Sequence, residues 1–132
     1  MNPVVHFEMP AVDTKRMSDF YSGVFGWRTQ QMGAEMGNYV LATTAESDEQ
    51  GRPKQGGAIN GGFYPRTDDP VLNAPSVVIG VENLTDSINK VTAAGGKIIG
   101  EPMGIPGVGQ WVAFIDTEGN RVSMLQPNAM GS

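Results

Sequence analysis

Two residues near the N-terminus could carry out chemistry together. His6 is the only histidine in the chain, and Glu8 follows it by two positions in the segment VVHFEM. Residues two apart in a strand point to the same face, so an imidazole and a carboxylate would lie side by side. Such a pair could bind a divalent metal, hold the imidazole protonated, or act as a general base. Two alternatives remain open: His6 is hydrogen-bonded without a ligand, or Glu8 is solvated at the rim of a cavity.

The elements around this pair are predicted from hydrophobic periodicity. Apolar residues alternate with His6 and Glu8, which predicts a strand over 3–10. Asp13 is suited to cap a helix over 13–25, and glycine follows the last apolar position of that helix. The apolar stripe of the helix predicts five core residues: Met17, Phe20, Tyr21, Val24 and Phe25.

The same order of elements then occurs twice. Strands are predicted over 27–33, 37–44 and 57–64, with an exposed loop over 45–56. After a linker over 65–75 come a strand over 76–82, a helix capped by Asn83, and strands over 97–101, 110–116 and 121–126. The spacing from Val12 to Gly26 equals that from Val81 to Gly95, which indicates a duplicated unit.

The duplication predicts an α+β fold of two tandem βαβββ modules. We expect one domain over 1–132, with module one over 3–64 and module two over 76–127. Each helix can cover one face of its sheet, so the other face stays free. Two such sheets side by side would form a cupped mixed sheet with the helices outside.

Composition excludes several functional classes. The net charge is −5 and the pI is about 4.7, without the basic patch of a nucleic-acid binder. Cysteine is absent, so there is neither a thiol nucleophile nor a cysteine metal site. No apolar run approaches the roughly 20 residues of a membrane span, and the N-terminus lacks a signal-peptide pattern. These features favour a cytoplasmic protein that contacts neither nucleic acid nor membrane.

The motifs in both halves resemble those of the vicinal oxygen chelate superfamily, which includes glyoxalase I, extradiol dioxygenases and bleomycin-resistance proteins. The resemblance is carried by these segments: His6, Asp13, Phe20-Tyr21 and Phe25-Gly26-Trp27 in the first half, and Val81-Glu82-Asn83-Leu84, Gly95-Gly96 and Phe114-Ile115-Asp116-Thr117-Glu118-Gly119-Asn120 in the second. It implies paired βαβββ modules around a concave sheet and a homodimer.

The resemblance also implies a divalent metal held by one residue from each of four strands. Matched by position, these residues are His6, Asn60, Ser76 and Ser123. Only His6 is a side chain that borderline divalent metals prefer, because the other three offer an amide or a hydroxyl. We therefore expect neither a tightly bound metal nor another cofactor.

Further residues are predicted to face the cavity. The predicted ligand-binding set is His6, Glu8, Asn60, Ser76, Trp111, Arg121 and Ser123, accompanied by Val78 and Leu125. Trp111 suits a flat organic ligand, although a core or dimer tryptophan is an equal alternative. Arg121 could pair with an anion, but its place after a turn favours solvation. Tyr39 and Tyr64 are candidate gates, and the loop 102–109 is a candidate lid.

Three functions are consistent with these residues. The first is a glyoxalase- or bleomycin-resistance-like protein that binds a small organic molecule without the usual metal. The alternative is a metal-dependent lyase, isomerase or dioxygenase in which His6 and Glu8 are catalytic. The third is a dimer whose cavity is filled by its own side chains. Glycines in the strand over 57–64 favour an open cavity over a filled one.

Overall fold

The computed structural model describes residues 1–128; residues 129–132, at the end of the predicted domain, lie outside this part. The strands are β1 Val4–Ala11, β2 Arg28–Gln31, β3 Val40–Thr43, β4 Asn60–Pro65, β5 Ser76–Gly80, β6 Lys97–Ile105, β7 Gly109–Ile115 and β8 Arg121–Pro127. The helices are α1 Thr14–Phe25 and α2 Leu84–Ala93, with short 3₁₀ helices at Ala34–Met36 and Pro70–Leu72. This order confirms the prediction of an α+β fold with two βαβββ modules.

The chain divides into two compact units. The first unit is His6–Pro75, and the second unit combines Met1–Val5 with the chain from Ser76 onward. Neither α1 nor α2 has the length and apolar character of a membrane-spanning helix, and the same holds for the short helical turns within residues 1–128.

In the first unit the strand order is β2-β3-β4-β1, with β1 and β4 parallel and the remaining pairs antiparallel. Its buried core consists of Ala11, Val40, Ala42 and Phe63. The helix α1 covers this core with Met17 and Tyr21, one turn apart, beside Trp27. The sheet face that carries Phe7 and Met9 is therefore the helix-covered face.

The ends of α1 match the sequence prediction. The Asp13 carboxylate accepts a hydrogen bond from the Arg16 N–H at 3.0 Å, as an N-cap does. At the other end Gly26 has a φ of 74°, a left-handed conformation, and its N–H bonds the carbonyl of Ser22.

The prediction that Phe20, Val24 and Phe25 are core residues was wrong. They are 55%, 59% and 62% exposed, respectively. Tyr21 and Trp27 pack against the core instead. Their rings stack on each other with centroids 4.6 Å apart. The apolar stripe of this helix is thus wider than the surface it buries.

In the second unit the strand order is β5-β8-β7-β6, with β5 and β8 parallel. The buried core residues are Val81, Leu84, Val112, Phe114 and Met124. The helix α2 packs on them through Leu84, Ile88 and Val91, after Asn83 caps it by accepting from the Asp86 N–H at 3.0 Å. This core is aliphatic apart from Phe114.

The prediction of a loop over 102–109 was wrong for its first half. β6 continues to Ile105, and the connection to β7 spans only the turn that follows it. The register shifts between Ile99 and Met103, where Gly100 has a φ of 70°. Pro102 lies within this irregularity, so its missing N–H breaks no regular ladder bond. The candidate lid is therefore mostly a strand.

Candidate functional site

The first unit presents a polar sheet face opposite its helix. The parallel register pairs His6 with Asn60 and Glu8 with Gly62. Since side chains alternate along a strand, His6, Glu8 and Asn60 lie on the face opposite Phe7. The structure thus brings together the two candidate catalytic residues and the first two metal positions that the sequence suggested.

Tyr39 contacts His6 on this face. The Tyr39 hydroxyl lies 3.0 Å from Nε2 of His6. The phenol ring reaches across Gly62, where a Cβ atom would overlap it. The absence of a side chain at Gly62 therefore makes the contact possible, and Tyr39, predicted only as a gate, is a direct partner of the candidate catalytic histidine.

His6 is neutral at physiological pH. Burial lowers its pKa from 6.5 to about 4, because a charged imidazolium is poorly solvated at this position. The interpretation of His6 as a protonated partner in an ion pair is therefore not supported. A neutral imidazole has one donor and one acceptor nitrogen, so it can take part in directional hydrogen bonding.

Glu8 is buried, with 9% of its surface exposed. The alternative that placed this carboxylate in water at the rim of a cavity was therefore wrong. The strand periodicity that orients His6 toward the polar face also orients Glu8 toward it, two residues further along.

Asn60 holds a loop in place. Its Oδ1 accepts from the Thr44 N–H at 2.9 Å, and its Nδ2 donates to Ser47 Oγ at 2.9 Å and to the Gly51 carbonyl at 3.1 Å. Residues 44–51 are thereby fixed beside the strand that carries His6. The exposed loop predicted over 45–56 is thus anchored by a residue that was predicted to be a ligand.

The second unit has its own polar set on the face opposite α2. Arg121 donates from Nη1 to Ser76 Oγ at 3.1 Å, and its guanidinium carbon lies 5.8 Å from the centre of the Trp111 ring. All three side chains are at least partly buried. The prediction that Arg121 is solvated was therefore wrong, because the turn before it leaves the side chain folded over Trp111.

Ser123 and the accompanying apolar residues belong to the same face. Register pairs Val78 with Ser123, and Leu125 with Trp111. Ser123 is 0% exposed, and its hydroxyl oxygen has no hydrogen-bond partner among residues 1–128. Trp111 lies outside the helix-covered core, which removes the core interpretation of this tryptophan.

The four positions matched to the metal site do not provide a suitable ligand set. His6 Nε2 is bonded to Tyr39, the Asn60 amide holds a loop, and Ser76 accepts from a cationic guanidinium. Over the described range 1–128, no three His, Asp or Glu side chains are grouped closely enough to hold a metal ion. Neutral oxygens beside a fixed positive charge are poor partners for a divalent cation.

Sequence reasoning missed the supporting residues of these sites. The role of Gly62 depends on its alignment with Glu8 in the neighbouring strand, and that of Thr44 depends on the loop fold. One available signal was the pair Gly61-Gly62 within a strand, because consecutive glycines there mark close approach by other groups. Phe7 and Tyr39 approach these two glycines, respectively.

A family comparison covers nearly the whole chain. The model described as the Glyoxalase/Bleomycin resistance protein/Dioxygenase superfamily matches residues 4–124. A glyoxylase-like domain-containing protein of Didymella fabae is 30% identical over 116 residues, which cover 86% of this chain and 84% of that protein.

A second curated relative is longer. The anthracycline biosynthesis protein DauV of Streptomyces sp. (strain C5) is 28% identical over 131 residues, or 94% of this chain. The chain spans about half of that relative, namely 46% of its length.

Solved structures share the fold at low sequence identity. A methylmalonyl-CoA epimerase in complex with methylmalonyl-CoA has a TM-score of 0.71 at 16% identity, with coverage of 100% of this chain and 99% of that one. A hypothetical protein from Bacillus halodurans has a TM-score of 0.69 at 14% identity, with coverage of 99% and 98%. The methylmalonyl-CoA epimerase from Mycobacterium tuberculosis has a TM-score of 0.68 at 13% identity, with coverage of 96% and 88%.

Proposed function

We propose, since the chain belongs to the glyoxalase/bleomycin resistance protein/dioxygenase superfamily, that it binds a small organic molecule on the polar sheet faces opposite its helices. The binding would not use the metal site that the resemblance implies. The predicted ligand-binding residues are His6, Glu8, Asn60, Ser76, Trp111, Arg121 and Ser123.

One observation carries this proposal: protein groups already bond the positions where a metal would be held. The His6–Tyr39 bond uses the ring nitrogen Nε2, and the Arg121–Ser76 bond places a cation at a second position. Metal binding at His6 would have to displace Tyr39, and metal binding at Ser76 would be opposed by the charge of Arg121. Polar side chains grouped on a sheet face instead suit recognition of an organic molecule.

Metal content of the full chain tests the metal-free part of the proposal. We would purify the protein without chelator and measure metals by elemental mass spectrometry, together with the variant His6→Ala. Substoichiometric metal that is equal in both proteins is the expected result. Near-stoichiometric metal that disappears in His6→Ala would overturn it.

Tryptophan fluorescence tests the ligand-binding part. The chain contains two tryptophans, so Trp27→Phe leaves only Trp111 and Trp111→Phe leaves only Trp27. One relative is named for anthracycline biosynthesis, and doxorubicin, a planar anthracycline, is therefore a reasonable first probe, followed by simpler quinones and catechols. We expect saturable quenching in Trp27→Phe and little change in Trp111→Phe. Equal, non-saturating quenching in both variants would contradict binding at Trp111.

A second candidate function is a metal-dependent lyase, isomerase or dioxygenase that uses His6 and Glu8. The burial of Glu8 favours it, because a carboxylate withdrawn from water is suited to general-base chemistry. This candidate requires bound metal in the elemental analysis. It further requires that Glu8→Gln lose turnover of aldehyde–thiol adducts or catechols while it keeps the fold.

We also infer a homodimer, as the family resemblance implies. Light scattering after size-exclusion chromatography would measure the mass of the protein against the 14.1 kDa of one chain. The cytoplasmic location stays a prediction from the sequence.

A further inference from the structure

The contact between Tyr39 and His6 is built into the sheet. Tyr39 immediately precedes β3, and its ring crosses Gly62 of β4 to reach Nε2 of His6 on β1. Three segments and one missing side chain are therefore needed for a single hydrogen bond. An incidental surface contact would not depend on a Cβ-free position in the strand that lies between the two residues.

The chemistry of the two groups gives this bond a direction. A phenol hydroxyl is a good donor, and the lone pair on an unprotonated imidazole nitrogen is a better acceptor than a phenol oxygen. The favourable arrangement is therefore Tyr39 O–H donating to Nε2. A neutral imidazole that accepts at Nε2 must carry its proton on Nδ1.

The other ring nitrogen is left for a ligand. The hydrogen bond that Tyr39 makes uses Nε2 and not Nδ1 of His6. With the proton on Nδ1, this nitrogen is a donor, and its natural partner is a carbonyl, carboxylate or phenolate oxygen. With the proton on Nε2, the same atom would be an acceptor and would select a donor instead.

We propose that Tyr39 is a positioning residue that holds His6 in the Nδ1–H tautomer, so that the site offers an N–H donor to an oxygen acceptor of the bound molecule. The choice of ligand class rests on the proposed function. The tautomer itself is a property of the ligand-free protein and can be tested without a ligand.

Nitrogen NMR of the histidine ring is the test. Because the chain has one histidine, labelling with ¹⁵N-histidine gives one pair of ring-nitrogen signals, and protonated and unprotonated nitrogens differ widely in chemical shift. We would record the full chain at pH 7, where His6 is neutral because its pKa is about 4. The expected spectrum shows Nδ1 protonated and Nε2 unprotonated.

Three variants separate positioning from general structure. In Tyr39→Phe the ratio of the Nδ1–H to the Nε2–H tautomer should fall by up to about tenfold, the equivalent of one hydrogen bond. Gly62→Ala keeps the hydroxyl but displaces the ring, so it should shift the tautomers in the same direction. Tyr64→Phe removes another tyrosine hydroxyl of this unit, which bonds the Leu72 carbonyl, and should leave the His6 signals unchanged.

Circular dichroism would confirm that each variant is folded. A parent spectrum with Nε2 protonated would overturn the proposal, as would a folded Tyr39→Phe variant with the tautomer ratio of the parent. The absence of ligand binding would overturn the proposed function while leaving the tautomer result valid, so the two failures are distinguishable.

Discussion

The two units share one order of elements but bury different cores. In the first unit, Tyr21, Trp27 and Phe63 form a group of stacked and tilted rings, with centroids 4.6–6.4 Å apart. In the second unit, α2 packs through Leu84 onto a core that is aliphatic apart from Phe114. No residue of α1 is fully buried, whereas Leu84 of α2 is. Tyr21 and Trp27 pack against the core of the first unit, whereas Phe20 and Val24 of α1 are exposed.

The polar faces differ in a related way. The first unit has glycines in β4 that admit the rings of Phe7 and Tyr39 from opposite faces. The second unit has Ser76 in β5 and Ser123 in β8, and its Arg121 bonds Ser76 and lies over the ring of Trp111. A duplicated backbone therefore supports two chemistries: a neutral histidine–tyrosine pair and a cation over an indole ring. The difference lies in where glycine replaces a side chain.

We expect the largest loss of stability from a substitution in the aromatic core of the first unit. Phe63 is 0% exposed, so Phe63→Ala should lower the free energy of unfolding by roughly 3–5 kcal/mol. The control is Phe20→Ala, which truncates an exposed ring and should cost less than about 1 kcal/mol. Urea unfolding measures both. Equal losses of unfolding free energy would contradict the exposure of Phe20.

The next prediction concerns the pH dependence of folding stability that arises from His6. It belongs to the first unit alone, because the second unit lacks histidine. The pKa of His6 is about 4 when folded and 6.5 when unfolded. Between these values the unfolded chain binds a proton that the folded chain does not. Stability is therefore full above pH 6.5 and falls as the pH drops toward 4, by roughly 3 kcal/mol in all.

His6→Gln is the control for this pH dependence. It removes the imidazole ring and keeps every other side chain, including Glu8. The difference in unfolding free energy between parent and variant should change by about 1.2 kcal/mol between pH 6 and pH 5. A constant difference over that range would contradict the lowered pKa of His6.

The sequence was sufficient for most strands and for both helix N-caps, because periodicity and capping are local. The alignment of His6 with Asn60 came from the family resemblance, and the register of β1 and β4 agrees with it. The sequence was not sufficient for Tyr39, since the contact with His6 depends on which residue of β4 lies between them. It failed for Phe20, because an apolar stripe shows which residues can be buried and not how wide the covered surface is. The loop-anchoring role of Asn60 was missed for a related reason: its partners come from a loop whose path is set by tertiary structure.

We expect a smaller loss of stability when the side chain that anchors a loop is removed, and each unit has one such side chain. Asn60→Ala removes three hydrogen bonds to the loop over 44–51 and should cost about 1–2 kcal/mol of local stability. Tryptic cleavage after Lys54 should then speed up by about tenfold. Asp116→Ala is the control, because Asp116 accepts from the N–H groups of Glu118 and Asn120 in the other unit. Cleavage after Lys54 that is equally fast in both variants would contradict an anchoring role for Asn60.

The smallest effects concern two serines on the polar face of the second unit. Ser76→Ala removes the acceptor of the Arg121 bond and should destabilise the fold by about 0.5–1.5 kcal/mol. Ser123→Ala removes a fully enclosed hydroxyl that has no hydrogen-bond partner within residues 1–128, so it should be neutral or slightly stabilising. Urea unfolding of both variants gives the sign of each change. A clear loss in Ser123→Ala would indicate that this hydroxyl has a partner in solution, such as an ordered water, and that the second unit also keeps a polar site in its sheet.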